Sequence, residues 1–279
     1  MARPSAPLLP GPGARAVAVG CGTSYYMAQA YAALREQAGL GETDAFPASE
    51  VPLSRGYDHV VVITRSGTTS EVLDLVGRAQ ASSRVTGVTA VQGTPLSELV
   101  AGTIVLGFAD EASVVQTRFA TSALALLRAH LGEDVTALAT AAERALSTAL
   151  PVDPGRFEQF VFIGRGMGAA LASEAALKLR ETSAAWTEAY PAMELRHGPM
   201  STLGPRSVVW CLGPPPPGLE DEVRSTGATW VSSPEDPMVG LVLVQRLAVA
   251  RALSRGLDPD HPRFLSRSVV LPSGTSTVR

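Results

Sequence analysis

The sequence is poor in cysteine, in lysine and in uninterrupted apolar runs, and each shortage excludes a class of protein. Its two cysteines, Cys21 and Cys211, cannot build a disulfide framework, and so few of them fit a reducing cytoplasm. Arg, Glu or Asp interrupts every apolar run before it reaches the roughly 20 residues that a membrane-spanning helix needs. We therefore expect a cytoplasmic protein with no membrane association.

The basic residues are too scattered for a nucleic-acid surface. The formal net charge is -3 at pH 7, and no cluster of Lys and Arg with interleaved aromatic residues occurs along the chain. Of the 23 basic residues only Lys178 is a lysine, which makes that position informative. The sequence implies neither a metal ion nor a cofactor, so nucleic acid, membrane, metal and cofactor are all absent from the expected partners.

What the sequence does contain is an alternation of apolar, β-branched runs with segments of helical period. At 279 residues and 46% apolar composition, the chain is long enough for two small domains. The alternation predicts an α/β fold of parallel sheets flanked by helices, of the doubly wound, flavodoxin-like kind. The predicted strands are 16–19, 60–64, 103–106, 160–163 and 208–212, and the predicted helices are 25–40, 71–81, 135–149, 169–185 and 239–255.

The two halves of the chain repeat each other at an offset of 144 residues, from Gly20 to Gly164. In both halves an apolar strand is followed directly by a pair of glycines, Gly20 with Gly22 and Gly164 with Gly166. The same offset places the Phe-Pro-Ala-x-Glu run at 46–50 on the Tyr-Pro-Ala-x-Glu run at 190–194. Agreement of two segments at one offset indicates a tandem repeat of one structural unit.

The repeat sets the predicted domain boundaries. Residues 1–14, rich in Pro, Ala and Gly at their start and without the apolar core of a secretory signal, are predicted to form a disordered leader. A first subdomain at 15–150 and a second at 151–279 follow. The prolines at positions 151 and 154 end the preceding helical segment and mark the connection.

A glycine turn lies between the first predicted strand and the first predicted helix. It offers backbone amides, two hydroxyls and a helix N-terminus to an anion, and it consists of Gly20, Cys21, Gly22, Thr23 and Ser24. One alternative is that the glycines only allow strand and helix to pack closely. Another is a dinucleotide site, but the third glycine of that fingerprint is missing at the required spacing.

A second loop, 64–70, crowds five hydroxyls and Arg65 around Gly67 before the next helix. Hydroxyls donate hydrogen bonds to phosphate oxygens, and both loops should emerge at the carboxyl edge of a parallel sheet, where ligands collect. The alternative is an ordinary helix cap, but one cap needs one hydroxyl. In the second half Gly213 is followed by four prolines, which have no N–H to donate, so one phosphate site per chain is predicted.

The third candidate feature is acid–base chemistry in the second half. Glu174, Lys178 and Glu181 are spaced by four and then three residues, which places them on one face of a helix. Such a trio is usually a surface salt bridge, but the single lysine of the chain lies within it, which favours a buried functional cluster. His197 precedes a Gly-Pro turn and is the preferred histidine; a solvated bystander is the alternative.

Together these residues resemble the sugar-isomerase (SIS) domain family, most closely the isomerase domain of glucosamine-6-phosphate synthases and the aminosugar-phosphate deaminases and isomerases. The likeness covers about 15–272 and is strongest at 174–199, where the runs ALKLRE, EAYPA and ELRHGP follow the family's order and spacing. It implies two tandem SIS-type subdomains. It also implies a homodimer with the active site at the interface, because the family's synthases supply a histidine across it.

The resemblance also implies roles for individual residues. The family's proton-shuttling glutamate matches Glu181, and its ring-opening histidine matches His197; Lys178 and Arg267 complete the catalytic group. Arg267 stands where the synthases have an imine-forming lysine, and a guanidinium cannot form an imine. The predicted phosphate-binding residues are Cys21, Gly22, Thr23, Ser24, Thr64, Arg65, Ser66, Gly67, Thr69 and Gln116.

Two functions remain open from the sequence. The first is an isomerase or isomerase/deaminase acting on a hexose or aminohexose 6-phosphate by proton transfer between C1 and C2. The alternative is a non-catalytic sugar-phosphate-binding protein of the same fold. No glutaminase domain is present in these 279 residues, so glutamine-dependent amination is not expected of this chain alone.

Overall fold

The structure is a computed structural model, and it describes residues 8–100, 102–233 and 235–272. Contacts divide these residues into two compact units. Unit 1 takes the described residues up to Ala112, Gln116–Glu133 and those from Ser266 onwards, and unit 2 takes Ser113–Val115 and Asp134–Leu265.

Unit 1 is built on a five-stranded parallel sheet with strand order β2-β1-β3-β4-β5. The strands are β1 (Ala16–Gly20), β2 (Thr43–Pro47), β3 (His59–Ile63), β4 (Arg84–Thr89) and β5 (Gly102–Val105), and the helices are α1 (Thr23–Gln37), α2 (Ser70–Ala79), α3 (Pro95–Leu99) and α4 (Arg118–His130). All residues of β1 and β3 are buried, which explains their nearly continuous apolar sequence. The strand order reverses between β1 and β3, so the loops that leave these two strands border the crevice where such sheets bind ligands.

Unit 2 contains a four-stranded parallel sheet with strand order β7-β6-β8-β9. The strands are β6 (Gln159–Gly164), β7 (Trp186–Pro191), β8 (Ser207–Leu212) and β9 (Thr229–Ser233), and the helices are α5 (Thr136–Ser147), α6 (Met167–Ser183), α7 (Leu219–Ser225) and α8 (Pro237–Ser254). An α/β architecture of parallel sheets with flanking helices is thus confirmed for the described residues.

The repeated sequence segments have the same local geometry in both units. Gly22 has φ 55° and ψ -126°, and Gly166 has φ 52° and ψ -124°. Gly20 pairs with Pro47 and Gly164 pairs with Pro191, at equivalent positions of the two sheets. A Cβ on Gly20 would lie 2.5 Å from the carbonyl carbon of Ser24, so this glycine is needed for close strand–helix packing.

The boundary between the units differs from the predicted one at residue 150. Helix α5 belongs to unit 2, where it packs on α8, and Arg246 Nη1 donates a hydrogen bond to the carbonyl of Ala145 at 2.8 Å. The proline-rich connection lies inside unit 2, because Arg251 Nη1 donates to Pro154 O at 2.6 Å. Residues 266–272, predicted in the second subdomain, belong to unit 1. The prolines near residue 150 mark a loop, but the boundary between the units depends on how the flanking helices pack.

Residues 8–14 are packed on unit 1, so the prediction of a disordered leader is wrong for this stretch. Leu9 is buried, and Arg35 Nη2 donates to the carbonyl of Gly11 at 2.7 Å. His130 Nε2 lies 3.1 Å from the carbonyl of Pro10. Prolines and glycines still offer carbonyl acceptors, and buried donors of the unit use them. Residues 1–7 of the predicted leader lie outside the described residues.

Helix α8 is the one helix in the described part of the chain that is long and apolar enough to cross a membrane. Half of it is buried, and it packs on α6 and α5 within unit 2. Arg251 on this helix is buried, with its guanidinium 4.7 Å from the ring centroid of Phe160. Contact with helices on one side and the sheet on the other explains its apolar composition, as expected for a core helix.

His59 at the start of β3 gives unit 1 a pH-dependent stability. Burial, followed by the nearby charges of Arg84 and Arg35, lowers the pKa of His59 from 6.5 to about 4. The unfolded chain therefore binds a proton at a higher pH than the folded chain does. We expect the contribution of His59 to the free energy of unfolding to be constant above pH 6.5 and, allowing for solvent screening, to fall by about 1 to 3 kcal/mol between pH 6.5 and 4. Urea titrations across this range should show a smaller fall for His59→Gln; equal falls in both proteins would contradict the assignment.

Candidate functional site

The glycine turn after β1 presents a buried pair of hydroxyl residues at the start of α1. Thr23 and Ser24 are both buried, and Gly22 provides the cap position of the helix. Cys21 is half-buried, with its sulfur 3.9 Å from Glu71 Oε2. Burial, followed by the Glu71 charge, raises the pKa of Cys21 to about 11, so the thiol is protonated at neutral pH and is no nucleophile.

The loop between β3 and α2 gathers its hydroxyls around Thr68. Ser66 Oγ accepts hydrogen bonds from Thr68 N at 3.2 Å and from Thr68 Oγ1 at 3.0 Å. Gly67 has φ 66°, and a Cβ there would collide with the side chain of Thr94, so only glycine fits the turn. Hydroxyls at the carboxyl end of β3 and at the start of α2 make this loop the strongest phosphate candidate in the described residues.

The segment 266–272, called the tail below, lies along this loop. Thr68 Oγ1 lies 2.9 Å from Ser268 Oγ, and Thr69 Oγ1 lies 3.3 Å from the same oxygen. Ser70 N donates to Val269 O at 3.1 Å. The tail thus adds a hydroxyl of its own to those of the loop.

Arg65, predicted as a phosphate ligand, has a buried side chain that faces an acidic residue. Its side chain is 1% exposed, and its Nη1 lies 3.9 Å from Glu111 Oε1. Its Nη2 donates to Arg267 O at 3.4 Å. The carbonyl oxygen of Arg65 accepts from Thr89 Oγ1 at 3.0 Å, which fixes the loop backbone. The positive charge is therefore already near a carboxylate of the chain.

Glu111 is a residue that the sequence analysis missed, and it caps α4. Its carboxylate accepts from the backbone nitrogens of Thr117, Arg118 and Phe119 at 3.0 to 3.2 Å and from Thr117 Oγ1 at 2.9 Å. The amides beside Gln116 are thus bound by an internal anion, which complements the helix dipole. Gln116 itself has a buried Oε1 with no hydrogen-bond partner among the described residues.

Arg267 joins the tail to the same acidic segment. Its Nη1 donates to Glu111 O at 2.5 Å, and its Nη2 pairs with the carboxylate of Asp110. The resemblance placed this arginine in the catalytic group, and the structure shows its guanidinium bonded to Asp110 and Glu111.

In unit 2, the trio on α6 is a buried ion cluster, so a surface salt bridge does not describe it. The side chains of Glu174 and Lys178 are 0% and 1% exposed, and that of Glu181 is 18% exposed. Lys178 Nζ lies 3.5 Å from Glu174 Oε1 and 2.5 Å from Glu181 Oε2. Lys178 therefore orients the carboxylate of Glu181, which is the one member of the trio that solvent reaches.

A cavity of about 210 Å³ in unit 2 is lined by Glu181 and by residues of 257–264. On its wall His261 Nδ1 lies 2.9 Å from Asp258 Oδ2, and this hydrogen bond lowers the pKa of Asp258. The sequence favoured His197 and did not single out His261, which meets the acid three residues earlier across a turn.

His197 is exposed at the end of a 3₁₀ turn formed by Ala192–Arg196. Its neighbours are fixed: Leu195 is buried, and Arg196 donates to the two carboxylate oxygens of Glu222 at 2.7 and 2.8 Å. An accessible imidazole on an anchored turn can act as an acid or a base.

The predicted site residues fall into the two units by role. The phosphate candidates and Arg267 lie in unit 1, and Lys178, Glu181 and His197 lie in unit 2. No group of three His, Cys, Asp or Glu side chains that could hold a metal occurs among residues 8–100, 102–233 and 235–272.

Comparisons with known proteins place these features in context. No protein-family model matches the chain. It is 30% identical over 319 aligned residues to the isomerizing glutamine-fructose-6-phosphate aminotransferase of Aeropyrum pernix, covering 92% of this chain and 51% of that protein. The protein of the same name from Methanothermobacter thermautotrophicus is 27% identical, with 91% and 51% covered. The chain thus spans about half the length of the curated relatives it matches.

Solved structures share the fold over nearly the whole chain. The glucosamine-6-phosphate deaminase of Thermotoga maritima superimposes with a TM-score of 0.81 at 25% identity, covering 92% of this chain and 91% of that one. The tagatose-6-phosphate ketose/aldose isomerase of Escherichia coli has a TM-score of 0.78 at 18% identity, covering 95% and 87%; at this identity the likeness concerns the fold alone.

Proposed function

We propose that the chain is a member of the sugar-isomerase (SIS) domain family, and on this premise that it binds a hexose or aminohexose 6-phosphate and moves a proton between C1 and C2 of the sugar. The strand orders of the two sheets and their matching glycine turns support two tandem SIS-type subdomains, the first with the flavodoxin-like order 2-1-3-4-5. For an aminosugar the same proton transfer gives an imine at C2, and water hydrolyses this imine to the ketose 6-phosphate and ammonia.

The observation that carries this proposal is the hydroxyl cluster at the carboxyl end of β3. Ser66, Thr68 and Thr69 lie together at the start of α2, and a helix N-terminus favours an anion. Hydroxyl donors bind a phosphate ester without adding a cation that would also attract other anions. This arrangement selects the phosphate end of the sugar and leaves the reacting carbons to other residues.

Glu181 is the residue proposed to move the proton. Its carboxylate is partly exposed, and Lys178 holds one of its oxygens at 2.5 Å. One carboxylate that reaches both C1 and C2 suffices for the transfer between the carbons, since it removes a proton from one carbon and returns it to the other through an enediol. The carbonyl oxygen gains a proton as the enediol forms, and the neighbouring hydroxyl loses one as the enediol collapses. Lys178 lies between the carboxylates of Glu181 and Glu174. Its proposed role is to orient the Glu181 carboxylate and to balance the negative charges of the two glutamates.

His197 is proposed to open the sugar ring by moving a proton from the anomeric hydroxyl, on C1 of an aldose or on C2 of a ketose, to the ring oxygen. Its exposure on an anchored turn supports this assignment. In the resembling synthases this histidine acts across a dimer interface, and we propose a homodimer here for the same reason. Arg267 cannot form an imine, so the proposed mechanism proceeds without a covalent adduct to the protein.

A binding panel tests the proposal. Fructose 6-phosphate and glucosamine 6-phosphate should raise the midpoint temperature of thermal unfolding, and unphosphorylated fructose should not. At a ligand concentration of 100 Kd, binding raises the free energy of unfolding by about 2.7 kcal/mol. Ser66→Ala should weaken sugar-phosphate binding about tenfold or more, because a hydrogen bond to a charged group is worth about 1.5 to 3 kcal/mol.

The control for this panel is Ser83→Ala, which removes a hydroxyl that donates to Tyr57 O beyond the other end of α2. It should bind like the wild type. Equal stabilisation by phosphorylated and unphosphorylated sugars would contradict the phosphate site. Binding without any interconversion would instead favour the alternative, a sugar-phosphate-binding protein of the same fold, which the replacement of the imine-forming lysine by Arg267 already suggests.

A further inference from the structure

We propose that Ser268 of the tail is a phosphate-binding residue of the site in unit 1, and that Arg267 is a positioning residue that holds Ser268 there. The proposal rests on the proposed function, because it names a further contact to the same phosphomonoester. It is carried by the contacts between the tail and the hydroxyl loop.

Ser268 and Ser66 flank the same hydroxyl. Thr68 Oγ1 lies 2.9 Å from Ser268 Oγ and 3.0 Å from Ser66 Oγ, so the two serine oxygens are within about 6 Å of each other. Phosphate oxygens that accept at normal hydrogen-bond length from both serines fit between donors at this separation.

The hydrogen-bond roles leave protons for a ligand. Ser66 Oγ accepts a hydrogen bond from Thr68 N. Thr68 Oγ1 carries one proton, so it donates to one of the two serine oxygens and accepts from the other; Ser268 Oγ also lies 3.3 Å from Thr69 Oγ1. When both serines turn their protons to an anion, Thr68 Oγ1 still donates to one of them, because a hydroxyl that donates keeps its acceptor lone pairs.

The backbone of the tail is fixed on both sides of Ser268. Before it, Arg65 Nη2 donates to Arg267 O at 3.4 Å. After it, Ser70 N donates to Val269 O at 3.1 Å, and Leu271 N donates to Ser70 Oγ at 2.9 Å. Ser268 therefore cannot turn away from the loop unless these bonds break.

Arg267 contributes to this placement through its guanidinium. It bonds to the carbonyl of Glu111 and the carboxylate of Asp110, and the carboxylate of Glu111 in turn caps α4 and faces Arg65. The N–H groups of Arg267 that bond to Glu111 and Asp110 are not available to donate to the sugar. The arginine thus acts on binding by locating the serine next to it.

A double-mutant cycle tests both parts of the proposal. Binding of fructose 6-phosphate and of inorganic phosphate is measured by calorimetry for the wild type, Ser268→Ala, Arg267→Ala and the double variant. Ser268→Ala should weaken both ligands about tenfold or more. Arg267→Ala should weaken them as well, but it should have little further effect in the Ser268→Ala background, because it acts through that serine.

The matched control is Ser225→Ala, which removes an exposed hydroxyl at the end of α7 in unit 2 that donates to Glu222 O at 2.6 Å. It should retain wild-type affinity. If the wild type binds the sugar phosphate and Ser268→Ala binds it equally well, this inference is overturned and the proposed function stands. Additive losses from Arg267→Ala and Ser268→Ala would overturn the positioning role. If the wild type binds no phosphate ester, the proposed function fails first.

Discussion

Glu181→Gln should lose exchange of a C1 proton of fructose 6-phosphate with deuterated water while retaining sugar-phosphate affinity. The amide has nearly the size of the carboxylate and keeps an oxygen for Lys178, but it cannot accept a proton from carbon. General acid–base catalysis of this kind contributes about 10² to 10⁴-fold, and we expect a rate loss in that range. The measurement is deuterium incorporation into the sugar, followed by proton NMR.

The control for this experiment is Glu220→Gln. Glu220 is also a helical carboxylate paired with a cation, 2.8 Å from Arg224 Nη2, but it is exposed on α7. Its variant should exchange the proton at the wild-type rate. Equal exchange by Glu181→Gln and the wild type would remove Glu181 from the mechanism, and loss of binding in Glu181→Gln would show that it acts on affinity rather than on the proton.

The loops of the candidate phosphate site were predictable because their sequence signals are local. A buried strand followed by glycine or by a run of hydroxyls leaves few structural options, and β1 and β3 were both located within one residue at either end. The turn at Gly166 was predictable because the sequence around it repeats that around Gly22. The two glycines have nearly equal backbone angles in the structure. Periodicity also placed Glu174, Lys178 and Glu181 on one helical face.

Contacts between distant parts of the chain were not predictable in the same way. Glu111 precedes Thr117 by six residues across a turn, so no helical or strand period connects the carboxylate to the amides it caps. Ser268 meets Thr68 from 200 positions away in the sequence. The assignment of α5 to unit 2 likewise depends on packing against α8, which composition near residue 150 does not encode.

Replacing Lys178 with methionine should destabilise unit 2 by about 3 to 5 kcal/mol, the usual cost of removing one partner of a buried ion pair. Methionine matches lysine in length, so the loss comes from charge: the carboxylate of Glu174, 0% exposed and 3.5 Å from Lys178 Nζ, loses its cationic neighbour. All three tryptophans, at positions 186, 210 and 230, lie in unit 2. Urea unfolding followed by tryptophan fluorescence therefore measures the free energy of unfolding of this unit.

A second substitution separates charge from packing. If the buried carboxylate is the source of the cost, Glu174→Gln combined with Lys178→Met should recover much of the lost stability, because neither member then carries an unbalanced charge. Arg180→Met, on the same helix but exposed, removes a hydrogen bond from Arg180 Nη1 to Thr187 O and should change the free energy of unfolding by no more than about 1.5 kcal/mol. A loss in Lys178→Met no larger than that of Arg180→Met would contradict the buried cluster. If the double variant regains stability and still lacks turnover, that result would show that methionine replaces the packing of Lys178 but does not orient the carboxylate of Glu181.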